Sequence, residues 1–234
     1  MQAKMKTFED WDELSEEFNT YKEKIFQGAA DNIYTVWPII LHYINLNFRE
    51  NKNNLRALDY GCGTGMFCKE LKSLKSDVYG IDISQKMIKI AKKHLGKEIK
   101  FLVGDSSKLP QIAKKEGKFN LITSIMVFQF ISDIEKCVRH LSDSLSYNGH
   151  IIFAVHNPKK LDERNVKDRT SIAGKTLRIY RRTSADYDKI FTNLGFVKTF
   201  EKYPKTSRKF LKIYEQKDSI EIPKYMILAY KKKP

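Results

Sequence analysis

The spacing of apolar positions changes twice along the chain, and each change marks a new kind of structure. The first ~50 residues read as helical. Phe8, Trp11, Leu14, Ser15, Phe18, Tyr21 and Ile25 recur at steps of three and four, which predicts an amphipathic helix. A second helix is predicted from about Ala29, kinked or restarted near Pro38, because proline brings no N–H to the preceding turn. Neither helix has a core of its own, so both are expected to pack on the rest of the chain. From Leu55 short apolar runs alternate with helical stretches. Arg56–Tyr60, Val78–Ile81, Ile99–Val103, Phe119–Thr123 and Ile151–Val155 read as strands, and Thr64–Leu74, Ser84–Leu95 and Ser132–Leu145 as helices. Apolar strands alternating with helices predict an α/β fold built on a doubly wound, mostly parallel sheet. After Asn157 the alternation lapses. Residues 159–182 are polar and basic, with Thr176–Arg182 as one strand of a hairpin. Ser184–Asn193 reads as a helix closed by Gly195. Phe196–Tyr203 and Lys224–Tyr230 read as a closing antiparallel pair joined by residues 204–223, which brings the strand count to seven.

Composition bounds this picture. A chain of 234 residues with 41% hydrophobic and 30% charged positions supports one domain carrying a small cap. The expected parts are a helical cap at 1–52, a core at 53–158, an insertion over 159–182 and the rest of the sheet at 183–234. Disorder, collagen-like sequence and internal repeats are excluded. Cys62, Cys68 and Cys137 are too few and too scattered for a disulfide framework, and they form no C-x-x-C pair for zinc. No metal is expected. The longest apolar run, Leu121 to Ile131, is far short of a membrane span, and the N-terminal residues lack the apolar core of a secretory signal. A reduced, cytoplasmic protein that avoids membranes is the expectation. The formal net charge of +15 is compatible with nucleic acid, an acidic surface or an anionic substrate. Most of the basic residues are lysines spread along the chain rather than clustered arginines, which reads as a solvated surface.

The chemistry concentrates after the first strand, in Leu58-Asp59-Tyr60-Gly61-Cys62-Gly63-Thr64-Gly65. A glycine-rich turn between strand and helix lets a ligand approach the backbone closely. Position 66 is Met, where the dinucleotide G-x-G-x-x-G pattern needs Gly, and no Gly-Lys-Ser/Thr comes after it to make a phosphate loop. Asp59 facing a ligand would repel a pyrophosphate but accept from a cationic amine. Asp82, at the end of the second strand, suits the vicinal hydroxyls of a ribose. Gly104-Asp105-Ser106 comes after the third strand, where Asp105 suits an exocyclic amino group. Ile83 and Met87 suit the faces of a flat base. An amine, a carboxylate, a ribose and a purine together describe S-adenosylmethionine.

The segments LDYGCGTG, YGIDIS, VGDSSKLP and FNLITSIMVFQFISD stand in the order and spacing of a class I S-adenosylmethionine-dependent methyltransferase, and residues 55–158 resemble its core. The stretch WDELSEEFN from Trp11 is similar to the W-D-x-x-A-x-x-Y-D start of many small-molecule members, with Phe18 and Asn19 replacing Tyr and Asp. Arg182–Tyr187 and Leu194–Phe196 resemble the family's segment before its sixth strand. The resemblance implies the Rossmann-like methyltransferase fold with cap helices and an insertion lid after strand five. It also implies S-adenosylmethionine as cofactor, with S-adenosylhomocysteine as product. Asp59 is then expected beside the methionyl amino group, and Gly61, Cys62, Gly63 and Gly65 around the methionyl moiety. Asp82 is expected at the ribose, Ile83 and Met87 at the base, and Gly104, Asp105 and Ser106 at the adenine edge. Ser124 and Met126 are expected at the border of sulfonium and acceptor.

For the acceptor side, His156 comes after the fifth strand, where open sheets bind ligands, and suits a general base; it also suits a loop histidine packing before Pro158. Gln129 is a candidate to orient the acceptor. Tyr21, Tyr34 and Trp37 either line the acceptor pocket or staple the cap to the core. Phe128 either faces the ligand or joins the core. Arg178, Arg181 and Arg182 either recognise an acidic group or form a solvated hairpin face. The leading expectation is methyl transfer by in-line displacement to an oxygen or nitrogen of a small-molecule acceptor. An RNA or tRNA methyltransferase and a non-catalytic cofactor-binding protein are the alternatives, with the chain as monomer or homodimer.

Overall fold

The five predicted parallel strands form the centre of the sheet. In a computed structural model, which describes residues 7–19, 21, 25–49, 55–74, 76–163, 168–172, 174–215 and 222–234, they are β1 (Arg56–Tyr60), β2 (Asp77–Asp82), β3 (Lys100–Val103), β4 (Phe119–Ile125) and β5 (Leu145–His156). They are completed by β8 (Phe196–Lys202) and β9 (Tyr225–Lys232), in the order β3-β2-β1-β4-β5-β9-β8. The first five are parallel; β9 runs antiparallel to both β5 and β8. Register is set by side chains that must be buried on both faces. In β1, Leu58 and Tyr60 enter one core and Ala57 the other.

Helices cover both faces. One core joins the sheet to α6 (Leu109–Glu116), α7 (Ile134–Ser144) and α9 (Ser184–Asn193) through Leu109, Val138, Leu141, Tyr187 and Phe191. The other joins it to α3 (Trp37–Asn47), α4 (Met66–Ser73) and α5 (Gln85–Leu95) through Ile40, Ile44, Leu71, Ile88 and Ala91. Helix starts are set by short polar side chains. The Ser84 hydroxyl accepts from Met87 N at α5, Asp133 accepts from Lys136 N at α7, and Thr183 with Asp186 forms a capping box at α9. Each such cap contributes about 1 kcal/mol.

Several expectations need correction. The N-terminal periodicity predicts one helix to Ile25, but α1 is short (Thr7–Glu13). Beyond it, Ser15 Oγ donates to the Asp12 carbonyl, and the chain continues in turns to Phe18. The side chain of Phe8 lies outside the described residues. The restart near Pro38 is a π-helical turn, Asn32–Val36, between α2 (Gln27–Asp31) and α3; it widens the helix just before the residue that cannot donate. Helix α6 carries little periodic signal, because Pro110 sits in a segment with few apolar residues. Strand β5 starts at Leu145, directly after α7, rather than at Ile151. Within 159–182 lie α8 (Pro158–Glu163) and a hairpin of β6 (Arg169–Ile172) with β7 (Lys175–Arg178), so the strand ends before Ile179. Within 204–223 lies α10 (Arg208–Ile213). The parts of those two segments at 164–167, 173 and 216–221 lie outside the described residues. No described helix is long and apolar enough to cross a membrane.

Candidate functional site

The carboxyl ends of β1 and β4 lie side by side, and the chain steps outward from them in opposite directions: a topological switch point, where open sheets bind ligands. The glycine turn sits there. Gly61 and Cys62 N–H groups donate to the Ile81 carbonyl at 2.8 and 3.0 Å, which ties the turn to β2. Gly61 (φ +75°) is closed from above: a Cβ there would lie 2.2 Å from Val127 Cγ2. Gly63 (φ +53°) is open, with only Met87 Sδ at 3.6 Å from such a Cβ. The turn therefore leaves a backbone surface free at Gly63 and passes through Gly65 into α4.

Three carboxylates surround it in three different states. Asp82 is nearly buried; Oδ2 accepts from Gly63 N at 2.8 Å and Oδ1 from Ser84 N at 2.9 Å. Each oxygen thus keeps a second lone pair, an arrangement that suits a vicinal diol. Burial pushes the Asp82 carboxyl above its ordinary pKa, against the pull of those N–H groups. Asp59 lies deeper, 3% exposed, between Thr123 Oγ1 at 2.7 Å and Cys68 Sγ at 3.7 Å. Burial with neutral partners pushes it up to about 7. Asp105 is exposed; its Oδ1 accepts from Ser107 Oγ and N, and these bonds hold it below the usual range. Gly104 N donates to the Asp82 carbonyl, which sets Asp105 beside the end of β2.

Around them, Ile83 is one of few large apolar side chains left exposed, and Met87 is buried under the turn. Ser106 is buried with its hydroxyl 3.0 Å from His140 Nδ1. Cys62 is buried, with its thiol pushed well up by that burial, and Cys68 beside it is likewise raised. Ser124 points inward instead of toward the crevice: it is fully buried and donates to the Tyr60 carbonyl at 3.1 Å. Met126 (φ +62°) sits past β4, half-buried, its N–H on the Ala154 carbonyl.

The acceptor-side candidates do not converge as expected. Phe128 is fully buried against Tyr60 and Phe153, so it belongs to the core. Gln129 is buried too; its Oε1 accepts from His156 N at 3.0 Å and its carbonyl accepts from Tyr180 N at 2.7 Å. Gln129 therefore fixes the end of β5 rather than touching a ligand. His156 is half-buried, its ring stacked on Tyr225 at 6.0 Å. Tyr21 stacks on His94 in the last turn of α5, at the far end of that helix from the crevice. Trp37 packs on Phe67 of α4, and the Tyr34 ring lies under Lys209 Nζ at 5.2 Å. The arginines disperse. Arg182 donates to the carbonyls of Phe128, Ile131 and Ser132, Arg181 pairs with Asp162, and exposed Arg178 lies over Tyr180.

Site residues that sequence reasoning missed come from the N-terminal arm, and part of their signal lay in the WDELSEEFN stretch. Asp12 Oδ1 accepts from Ser84 Oγ at 2.6 Å and from Lys86 N at 3.0 Å, at the start of α5. Thr64 Oγ1 of the glycine turn donates to the Phe18 carbonyl at 3.3 Å. Glu13 pairs with Lys175 of the hairpin. The arm thus crosses the crevice and is tied to both of its banks. Among the described residues, no three His, Cys, Asp or Glu side chains gather as metal ligands would.

A doubly wound sheet in the order seen here, with a glycine turn and a carboxylate held by two backbone N–H groups at its switch point, is that of a class I S-adenosylmethionine-dependent methyltransferase. Residues 51–217 match the model of the methyltransferase domain family, and the chain belongs to that family. It is 28% identical over 139 residues to the ubiquinone biosynthesis O-methyltransferase of Pelagibacter ubique, covering 56% of this chain and 58% of the relative. It is 28% identical over 173 residues to the malonyl-[acyl-carrier protein] O-methyltransferase of Bacillus cereus, covering 65% and 63%. The chain thus spans about three fifths of the length of these curated relatives. The crystal structure of magnesium protoporphyrin IX methyltransferase from Synechocystis with bound S-adenosylhomocysteine shares the fold, at a TM-score of 0.65 and 19% identity over 97% of this chain and 94% of that one.

Proposed function

We propose that this protein transfers the methyl group of S-adenosylmethionine to an oxygen or nitrogen of a small-molecule acceptor. The observation that carries the reading is the pair of backbone N–H bonds that pin Asp82 at the crevice beside the open face of Gly63. The residues fit the cofactor. Asp82 would hold the ribose hydroxyls. Ile83 and Met87 would flank the base, and Asp105 would accept from its amino group beside Gly104 and Ser106. Asp59 would stand below the methionyl ammonium, along the backbone of Gly61, Cys62, Gly63 and Gly65. Met126 would border the sulfonium.

When bound, S-adenosylmethionine supplies a methyl group already activated by its sulfonium. The chain's task is to orient the acceptor and exclude water. His156 at the end of β5 would take a proton from the acceptor, with Gln129 holding its backbone N–H. In this reading residues 53–158 form the cofactor core, and segments 1–52 and 159–182 cover it. Both relatives are named as O-methyltransferases, which favours oxygen. A crevice crossed by a tied arm favours a compact acceptor over a polymer, which needs an open groove.

Thermal melting with S-adenosylhomocysteine tests this. A ligand binding only the native state adds about 2.7 kcal/mol at ~100 times its Kd, so the midpoint is expected to rise. Asp82→Ala is expected to abolish the rise. No shift at millimolar ligand overturns the function, and a shift retained in Asp82→Ala overturns the ribose assignment.

A further inference from the structure

The underside of the arm is a ladder of rings. Phe26 meets Phe18 (centroids 5.4 Å, 62°), Phe18 meets Trp11 (6.1 Å, 61°), and Trp11 meets Phe130 (5.0 Å, 77°). Its second ring is fixed at the glycine turn, where Thr64 holds the Phe18 carbonyl, and its last is Phe130, the residue that ends the turn after β4. The ladder therefore spans the switch point from the β1 side to the β4 side. All four rings are half-buried. Every contact is edge-to-face, so in each pair one ring offers its edge and the other a face, a packing that a further flat ring can extend.

Four nearby charges among the described residues are engaged elsewhere. Asp12 is held at α5, Glu13 by Lys175, Arg182 by three carbonyls and Arg181 by Asp162. Among the described residues no guanidinium converges on the ladder, whereas a neutral ring would meet the apolar surface that the four half-buried rings keep.

We propose that Phe26, Phe18, Trp11 and Phe130 form the seat of the acceptor, and that the acceptor is a neutral, planar aromatic or conjugated compound carrying the hydroxyl or amine to be methylated. This rests on the methyltransferase reading and narrows it to a substrate class. The ties at Ser84, Lys86 and Lys175 close the seat on both sides, which separates it from a groove for a nucleobase within a polymer.

The test is a pair of separate titrations on the full chain, one with S-adenosylhomocysteine and one with naphthol, a neutral planar probe. The chain has two tryptophans, so Trp37→Phe leaves Trp11 as the only indole reporter. Naphthol is expected to quench Trp11 saturably in that variant and to bind the unaltered chain by calorimetry. Trp11→Ala and Phe130→Ala are expected to weaken naphthol about tenfold while changing S-adenosylhomocysteine affinity less than about twofold. Trp11→Phe, which keeps a ring, is expected to restore most of the affinity. Malonate, an anionic aliphatic probe, is expected not to compete. Equal binding of malonate and naphthol, or tighter competition by single-stranded RNA, overturns the proposal. So does an equal loss of both ligands in Trp11→Ala, which would make the ladder a cofactor cover. Failure of S-adenosylhomocysteine alone to bind overturns the function instead, and the naphthol titration still decides the seat.

Discussion

The two banks of the crevice are built in opposite ways. The proposed cofactor bank, at the ends of β1, β2 and β3, is made from backbone: four glycines at positive φ and main-chain N–H groups on Asp82. The proposed acceptor bank is made from side chains drawn from distant segments. Trp11 meets Phe130, Arg182 meets the Phe128 carbonyl, and Gln129 holds His156. A backbone site depends on conformation, which a short motif specifies. A side-chain site depends on packing between elements that no motif names. The first tolerates almost no change at a few positions, and the second spreads smaller effects over many.

The largest expected effect lies on the cofactor bank. Gly61→Ala adds a Cβ in a left-handed position and 2.2 Å from Val127 Cγ2, so about 3 kcal/mol of stability is lost in denaturant unfolding. Gly61→Ala with Val127→Ala relieves the clash but not the strain; full recovery would mean that φ is irrelevant there. On the acceptor bank, Arg182→Ala removes three bonds to carbonyls and is expected to cost about 2 kcal/mol. Cofactor affinity measured by calorimetry should stay unchanged; a matching loss would mean that the banks are not independent.

A smaller effect comes from Asp59, whose carboxyl stands at about 7 in the free protein. An ammonium beside it favours the ionised form, so binding releases a proton when the pH is below that value. S-adenosylhomocysteine affinity is then expected to fall by about tenfold per pH unit as pH drops below 7, and to flatten above about pH 8. Asp59→Asn should abolish the slope. The same group acts on stability with the opposite trend. The native chain holds a proton that the unfolded chain has released, so the free protein loses stability as pH rises from about 4 to about 7, and Asp59→Asn reduces that loss. The smallest effect is that of Arg178→Ala, an exposed residue on the hairpin, expected within about 0.5 kcal/mol in unfolding and without change in naphthol affinity.

The same contrast explains which features were readable from sequence. The parallel strands and the conformation of the glycine turn were legible because each is set within a few residues by burial on both faces or by backbone conformation. The acceptor candidates were misplaced because residue type alone does not give direction. Phe128 and Ser124 come after or end a buried strand and point inward. The helical period that would carry Tyr21 to the pocket ends at Glu13. Arg178, Arg181 and Arg182 are neighbours in the chain but do not converge on one group: Arg178 and Arg182 lie over Tyr180, Arg182 also holds three carbonyls, and Arg181 pairs with Asp162.

Sequence by itself determined the α/β alternation, the seven strands, the methyltransferase resemblance and the residues of the cofactor turn, because these depend on periodicity and on local φ and ψ. Only the tertiary structure decided that Asp59 is buried between Thr123 and Cys68, that Gln129 holds the His156 backbone, and that three rings of the arm line up with Phe130 across the switch point. Most of those contacts join different elements, and which of many apolar or polar partners meets which is settled by close packing of whole elements rather than by any segment's own preference.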